Sequence, residues 1–275
     1  MKPAKFEYHA PASVDEALAI LGRYDGEARV LAGGQSLVPM MNFRLARPTA
    51  IVDLNRIDGL AYVEEEGVIV RIGSMTRQRR LEFDPLVAAK LPLLREALRW
   101  VGHLPTRSRG TIGGSIAHAD PSAEIPLVLL ALAGEIVLSS RRGSRRLAAA
   151  DFFTGLMSTA REENELIEAA IVPRRRPGHG YAFREFARRH GDFAIVACAA
   201  IANEREARLA IGGVADRPVA FDGLPLDGAA LAEALDHIAG ELAAREDLHA
   251  TPEYRRELVR RLGRATIAEA RQCRA

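Results

Sequence analysis

The sequence has 275 residues, 48% of them hydrophobic and 27% charged, with a formal net charge of +2. This balance is typical of a globular protein in water and argues against a general nucleic-acid binder. At roughly 150 residues per domain, the length predicts about two domains. No apolar run approaches the roughly 20 residues of a membrane span, and residues 1–7 lack the apolar core of a signal peptide, so we expect a cytoplasmic protein.

The two cysteines, Cys198 and Cys273, are too few to ligate a four-cysteine iron–sulfur cluster. The sequence also contains neither C-x-x-C nor H-E-x-x-H, so we predict no metal site in this chain. Any metal redox chemistry in which the protein takes part would then belong to another chain.

The first half of the chain alternates between predicted helices and strands. Ser13 and Glu16 form a capping-box pattern that predicts a helix ending at Gly22. Apolar runs and helical spacing then predict strands over 28–31, 50–54 and 68–72, a single helix from 84 to 102, a basic irregular stretch over 103–110, a buried helix over 126–132, and strands over 135–138 and 166–172.

Residues 173–180 combine proline, glycine and arginine without a packing pattern, which is typical of a linker. We therefore expect one domain over 1–175 and a second over 176–275. The second is predicted to contain strands over 181–186, 193–202 and 207–214, and helices over 228–243 and from Thr251 onward. Strands followed by helices indicate an α+β domain, with three strands against a helical layer.

Two double-glycine segments stand out, one over residues 32–36 and the other over residues 111–115. Glycine pairs let the backbone take positive φ and approach a ligand closely, and successive N–H groups there can form a nest for an anion. Two such nests can hold the two phosphates of a pyrophosphate, so the pair predicts a dinucleotide site. Neither G-x-G-x-x-G nor G-x-x-x-x-G-K-[ST] is present, so the expected mode of binding is not the Rossmann one.

No nucleophile with a neighbouring base is readable, so no catalytic residue is predicted. His118 is either a base or a hydrogen-bonding scaffold in a glycine-rich turn. Asp120 and Glu124 are four residues apart and would share one face of a helical turn. Asp120 either caps a helix in which Pro121 follows it, or one of the two carboxylates accepts a hydrogen bond from a ribose hydroxyl. Both can hold at once, with the cap formed by Asp120 and the sugar contact by Glu124.

The chain resembles the FAD-binding medium subunits of the molybdenum hydroxylases, the family of the carbon monoxide dehydrogenase medium chain and the xanthine dehydrogenase FAD-binding subunit. The resemblance covers essentially the whole chain, and its motifs lie at 32–46, 52–55, 109–121, 151–155, 188–196 and 212–218. It implies an α+β fold with a PCMH-type FAD-binding domain of two α/β subdomains, followed by a smaller C-terminal α/β domain with a three-stranded sheet and helices.

The resemblance also implies roles for individual residues. Glu124, with Asp120 before it, stands near the ribose, Ile167 lies in the strand whose backbone faces the flavin ring, and Arg184 takes the place of a lysine near the isoalloxazine. Phe193 lies either against the flavin or in the core. Ser115 replaces the family's usual asparagine. The residues that resemble the loops around the FAD pyrophosphate are Ala32, Gly33, Gly34, Gln35, Ser36, Thr111, Ile112, Gly113, Gly114 and Ser115.

The function that this resemblance implies is electron transfer through FAD. Electrons would come from 2Fe-2S clusters in a small partner subunit, after substrate oxidation at the molybdenum cofactor of a large molybdopterin-binding subunit, and pass to an external acceptor. The assembly would be a dimer of heterotrimers. Two alternatives stay open: a self-sufficient FAD-dependent oxidoreductase with its own substrate site, and a non-enzymatic nucleotide-binding or scaffold protein whose glycine segments are turns.

Overall fold

The chain begins with a small parallel β-sheet. In this computed structural model, which describes residues 2–274, the sheet has the order β1-β3-β2. The carboxyl ends of parallel strands meet at one edge, where ligands of open α/β sheets bind. Residues 32–36 follow β2 at that edge. The elements are β1 (Glu7–His9), α1 (Val14–Tyr24), β2 (Ala28–Leu31), α2 (Leu37–Asn42) and β3 (Ala50–Asp53), with 3₁₀ turns at Leu54–Arg56 and Asp58–Leu60.

The first helix confirms its predicted N-terminal signal. Ser13 Oγ accepts a hydrogen bond from the backbone N–H of Glu16 at 3.2 Å, and Glu16 Oε2 accepts one from the N–H of Ala12 at 2.8 Å. The two side chains therefore satisfy backbone donors that the first turn of α1 leaves open.

The second subdomain is built on an antiparallel sheet of order β4-β5-β10-β6-β7. A register shift in β10 lies between Ile167 and Ala169, opposite β6. The strands are β4 (Val63–Glu66), β5 (Ile69–Gly73), β6 (Glu135–Ser140), β7 (Gly143–Ala148), the short hairpin β8 (Phe153–Gly155) and β9 (Ser158–Thr159), and β10 (Leu166–Pro173).

Short helices cover this sheet. The prediction of a single helix over 84–102 is wrong, because the segment forms two helices that are separated at Leu91. Pro92 has no N–H and keeps Leu91 (φ −127°) out of the helical region. The stretch over 103–110, predicted to be irregular, contains α6. The helices are α3 (Gln78–Phe83), α4 (Pro85–Lys90), α5 (Pro92–Leu98), α6 (Leu104–Arg109), α7 (Ile112–His118), α8 (Glu124–Ala131) and α9 (Ala149–Phe152).

The C-terminal domain has a four-stranded antiparallel sheet, where the sequence predicts three strands. The fourth strand was missed because Pro218 precedes it and Asp222-Gly223 lie inside it, and all three residue types are typical of turns. The elements are β11 (Gly180–Phe186), β12 (Val196–Ala202), β13 (Ala207–Gly212), β14 (Val219–Leu224), α10 (Gly228–Glu241) and α11 (Pro252–Gln272), with the strands in chain order.

The two faces of this sheet contribute to different cores. Phe183, Ala197 and Ala199 belong to one buried cluster together with α5 and α8, whereas Ala182 and Cys198 belong to a cluster with α10 and α11. Because side chains alternate along a strand, the odd-numbered residues of β11 face the second subdomain. The C-terminal sheet therefore shares a hydrophobic core with the domain that precedes it.

Candidate functional site

The first glycine segment leaves its backbone donors open. Gly34 has φ +74°, which favours glycine, and the chain turns there from β2 into α2. Among residues 2–274, no acceptor lies within hydrogen-bond range of the backbone N–H groups of residues 33–37. Gln35 Nε2 donates to the Gly33 carbonyl at 3.0 Å, and the Ser36 hydroxyl does not cap α2. Successive open donors at a turn are what an anion nest requires, and the phosphate-binding role of this segment stays a prediction.

The second glycine segment does not form such a nest. It begins α7: Thr111 is the N-cap, and its Oγ1 accepts from the Gly114 N–H at 3.0 Å. The N–H of Gly113 donates to the Ser74 carbonyl at 2.8 Å, and that of Ile112 donates to the Thr76 carbonyl at 3.1 Å. Neither glycine of the pair has positive φ. The prediction of a second anion nest at this segment is therefore wrong, because Thr111 caps a helix that begins here and the N–H groups are already bonded.

Glycine at 113 has a packing role instead. A Cβ built on Gly113 would lie 2.5 Å from Ser74 Cβ and 2.7 Å from the Ser74 carbonyl oxygen. Such distances are too short for any side chain, so α7 approaches β5 closely only because residue 113 is glycine.

The two segments nevertheless lie side by side. A Cβ on Gly33 would come within 2.5 Å of the Arg109 carbonyl oxygen and 2.8 Å of Gly110 Cα, both of which immediately precede the second segment. A Cβ on Gly114 would lie 3.6 Å from Ala32 Cβ. The structure thus brings together residues 32–36 and 111–115, which are about 80 positions apart in the sequence, at the edge of the parallel sheet.

Asp120 and Glu124 do not share a helix. Asp120 Oδ1 accepts from the Ser122 N–H at 2.8 Å, which is a local turn, and α8 begins at Glu124 after Ala123. The predicted cap of a helix at Asp120 is therefore wrong. Asp120 closes a turn because its short carboxylate reaches the N–H two residues on, and the helix starts only after that turn.

Glu124 and Glu185 form a buried acidic pair. Glu124 is 4% exposed and Glu185 is 8% exposed, and neither oxygen of the Glu185 carboxyl has a hydrogen-bond partner among the described residues. Glu185 of β11 is opposite Ala197 of β12, which is in turn opposite Gly212 of β13. A Cβ added to Gly212 would lie 3.2 Å from the Pro121 carbonyl oxygen. These small residues let the start of α8 approach the sheet beside Glu185.

Burial governs the proton affinity of both acids. Desolvation raises the pKa of Glu124 to about 7; Asp120 also raises this pKa, while Arg107 lowers it. Desolvation and then the charge of Glu124 raise the pKa of Glu185 to about 9. At neutral pH the Glu185 carboxyl is therefore protonated and can donate a hydrogen bond.

The remaining predicted residues are spread over two places. Ile167 is buried in β10, next to the register shift and in the core that also contains Ile112 and Ile116 of α7. Phe193 is 63% exposed, in the loop between β11 and β12. That loop contacts the chain before α6, because a Cβ on Gly191 would meet His103. Phe193 is therefore not a core residue of this structure.

Arg184 forms an ion pair with the last helix of the C-terminal domain. Its Nε donates to Glu269 Oε2 on α11 at 2.6 Å, and it shares a sheet face with Ala182, in the cluster with α10 and α11. Glu185, one residue later, is on the opposite face. The place of Arg184 near the isoalloxazine stays a prediction, and in this structure its guanidinium is engaged by Glu269.

Two further residues at the site were missed by sequence reasoning. Asn55 Nδ2 donates to the Ala32 carbonyl at 2.9 Å, and Arg77 Nη2 donates to Asn55 Oδ1 at 2.5 Å. Arg77 also donates to the Arg109 carbonyl and forms a β-bridge with Thr111. Asn55 follows a strand at the ligand-binding edge, which is a readable signal, whereas nothing in the sequence around Arg77 indicates its role.

These features fit a dinucleotide with a pyrophosphate. The open N–H groups of residues 33–37 are donors for phosphate oxygens, and the free Ser36 hydroxyl adds another. The Arg77 guanidinium donates to the Arg109 carbonyl and to Asn55 next to this segment, and the Arg109 side chain is near enough for its charge to lower the pKa of Arg77. Together, the fold and the open donors define the class of the protein as a dinucleotide-binding α+β protein.

Comparisons with known proteins give the family. Residues 4–175 match the FAD binding domain in molybdopterin dehydrogenase, and residues 181–270 match the CO dehydrogenase flavoprotein C-terminal domain. The chain belongs to this family, and its cofactor is FAD. Its homologues are flavoprotein subunits of dehydrogenases and hydroxylases, so it is an oxidoreductase subunit.

Two relatives and one solved structure illustrate the similarity. The chain is 39% identical to the nicotine 6-hydroxylase medium subunit of Paenarthrobacter nicotinovorans, covering 98% of this chain and 99% of that one. It is 35% identical to the carbon monoxide dehydrogenase medium chain of Afipia carboxidovorans, covering 98% of each. A carbon monoxide dehydrogenase structure from Hydrogenophaga pseudoflava superimposes over 100% of both chains, with a TM-score of 0.96 and 36% identity.

Within residues 2–274, no helix is both long enough and apolar enough to cross a membrane. The same residues contain no group of three or more histidine, cysteine, aspartate or glutamate side chains placed to hold a metal ion.

Proposed function

We propose that the chain is the FAD-binding electron-transfer subunit of a molybdenum hydroxylase complex. When bound, FAD supplies the capacity to exchange electrons, and the protein supplies binding, orientation and electrostatics. The observation that carries the proposal is the row of open N–H groups at residues 33–37, beside the second glycine segment, in a chain that matches medium subunits over its whole length.

The proposed partners are a large molybdopterin-binding subunit and a small 2Fe-2S subunit, in a dimer of heterotrimers. Relatives carry the names "medium subunit" and "medium chain", which supports a complex with a larger and a smaller chain. Electrons would reach FAD from the clusters of the small subunit and leave to an external acceptor. The two cysteines of this chain, Cys198 and Cys273, are consistent with that division of labour.

Each residue has a proposed part in holding FAD. Residues 32–36 bind the pyrophosphate through backbone donors, and residues 111–115 line it from the neighbouring helix. Glu124 and Asp120 lie toward the ribose, while Ile167 and Phe193 lie toward the flavin ring. Arg184 reaches the ring only if its ion pair with Glu269 opens. We also propose that the domains meet between residues 175 and 176.

The first test is the visible absorption spectrum of the purified full chain, followed by release and identification of the cofactor. We expect FAD at close to one per chain, or uptake of added FAD by a chain purified without it. A chain that neither contains nor takes up FAD would contradict the proposal. Addition of partner subunits that the substrate has reduced should then reduce the flavin and bleach its absorbance. If the substrate alone bleaches the flavin in the absence of the partner subunits, the subunit role is refuted.

A second candidate is a self-sufficient FAD-dependent oxidoreductase, which needs a buried acid or base of its own. Glu185 is such a group, because it is buried, unpartnered among residues 2–274, and protonated at neutral pH. Reduction of the bound flavin by a small substrate in the absence of other chains, lost in Glu185→Gln, would favour this candidate.

A further inference from the structure

Two side chains join the glycine segments. Arg77 contacts the second segment through its β-bridge with Thr111 and its hydrogen bond to the Arg109 carbonyl. It contacts the first through Asn55, whose Nδ2 donates to the Ala32 carbonyl at 2.9 Å. Three successive hydrogen bonds therefore link the two segments. They run from the Arg109 carbonyl to Arg77, from Arg77 to Asn55, and from Asn55 to the Ala32 carbonyl.

Asn55 is itself held in place. Its backbone N–H donates to Asp53 Oδ1 at 2.9 Å, and its Nδ2 donates to the same oxygen at 2.5 Å. The other oxygen of Asp53 accepts from the Tyr8 hydroxyl at 2.6 Å. All three strands of the parallel sheet thus contribute to one network, since Tyr8 lies in β1, Ala32 follows β2 and Asp53 ends β3.

The network concentrates positive charge beside the open donors. Burial, and next the charge of Arg109, lower the pKa of Arg77, whereas Asp53 raises it. Arg77 and Arg109 thus place two guanidinium groups close to the Asp53 carboxylate at this edge of the sheet. Three of the five N–H donors of Arg77 also remain, because two are used by the Arg109 carbonyl and Asn55.

We propose that Arg77, held by Asn55, is a positioning residue for the FAD pyrophosphate. It fixes the spacing between the two glycine segments and supplies charge that the backbone donors lack. This inference rests on the proposed function, since it takes FAD as the ligand. A guanidinium is suited to both tasks, because its fixed fork of donors bridges two acceptors while keeping its charge.

The two tasks predict different behaviour for different substitutions. Arg77→Met removes the bridge and the charge. Arg77→Lys keeps the charge but cannot bridge two acceptors in the same way. Asn55→Ala removes the link to Ala32 and leaves every charge in place. Arg79→Met is the matched control, because it removes the same charge two residues further on, in α3, at a side chain that pairs with Glu82 and Phe83 instead.

The experiment measures the FAD dissociation constant of the full chain at salt concentrations from about 0.05 to about 0.5 M, with thermal unfolding of each variant in parallel. We expect Arg77→Met to weaken FAD binding by roughly tenfold to a hundredfold and to reduce its salt dependence. Arg77→Lys and Asn55→Ala should weaken binding less and keep the salt dependence. Arg79→Met should match the wild type.

Several outcomes would overturn the inference. It fails if Arg77→Met binds FAD within about threefold of the wild type at every salt concentration. It also fails if all variants lose affinity only in proportion to a loss of thermal stability, because Arg77 would then act on the fold alone. If Arg77→Met does not fold, the other two variants decide: unchanged FAD affinity in both Arg77→Lys and Asn55→Ala would refute the inference. A wild-type chain that binds no FAD would instead refute the proposed function.

Discussion

The two glycine segments have similar sequences but opposite structures. Residues 32–36 form an open turn with free backbone donors and a glycine at φ +74°. Residues 111–115 form the first turn of a helix whose donors are already bonded to Thr111, Ser74 and Thr76. The first segment thus keeps its hydrogen-bonding capacity for a ligand, while the second uses it for folding.

The difference has a local cause. Thr111 can accept from the N–H three residues on, which starts a helix, whereas Leu31, which stands at the equivalent position two residues before the glycine pair, has no side-chain oxygen. A glycine pair therefore indicates that the backbone approaches another group closely, but it does not identify that group. Around Gly33 the close neighbour is the other segment, and around Gly113 it is the sheet beneath.

The largest expected effect comes from Gly33→Val. Its Cβ would lie 2.5 Å from the Arg109 carbonyl and 2.8 Å from Gly110 Cα, and neither backbone atom can move aside cheaply. We expect the segments to separate and FAD affinity to fall more than about a hundredfold, or about 2.7 kcal/mol. Flavin absorbance per chain and the FAD dissociation constant measure the effect.

Gly59→Val is the matched control, because a Cβ there meets nothing within 4 Å and residue 59 has no positive φ. Its FAD content should equal that of the wild type. Full flavin content in folded Gly33→Val would show that the contact between the two segments is not needed for binding.

The next effect is on folding rather than binding. Gly113→Ala places a methyl group 2.5 Å from Ser74 Cβ in a buried position, so α7 must move away from β5. We expect a loss of about 1–3 kcal/mol in the free energy of unfolding, as for other overpacked interiors. Urea denaturation of the chain in the absence of FAD measures it.

The contrast between the segments predicts that FAD affinity of folded Gly113→Ala changes less than that of Gly33→Val. An equal loss of affinity at unchanged stability would mean that Gly113 acts on the ligand directly, and the division between a binding segment and a folding segment would be wrong.

The sequence predicted the regular elements better than the site. Strands such as 28–31 and helices such as α10 were predictable, because apolar periodicity and caps are local signals. The fourth strand of the C-terminal sheet, the break at Pro92 and the buried state of Glu185 depend on neighbours far along the chain. The bridge through Arg77 also joins residues more than 20 positions apart, and no local pattern reports that.

Glu185→Gln should alter the pH dependence of stability. The folded pKa of Glu185, about 9, lies above an unfolded value of about 4.3, so the folded state holds the extra proton over that range. Stability is therefore lost as pH rises from about 4.3 toward 9, by up to about 1.4 kcal/mol per pH unit for one proton. Glutamine removes this contribution. The charged groups that act on the pair are Glu124, Asp120 and Arg107.

Unfolding of the wild type and Glu185→Gln from about pH 5 to about pH 9 measures the difference. The variant should gain on the wild type as pH rises, and Glu124→Gln should show a smaller gain at lower pH because its pKa is about 7. Parallel curves at every pH would show that Glu185 ionises in the folded protein as freely as in the unfolded chain.

The smallest expected effect tests the cause of the contrast itself. Thr111→Ala removes the cap on the Gly114 N–H and should lower the free energy of unfolding by about 1 kcal/mol, as at other N-caps. Thr111→Ser retains the hydroxyl and should keep most of the stability in the same thermal unfolding measurement. If serine were as destabilising as alanine, the buried methyl group of Thr111 would matter more than its oxygen. The helical start of the second segment would then owe its stability to packing, and the cap would not explain why two similar glycine pairs fold differently.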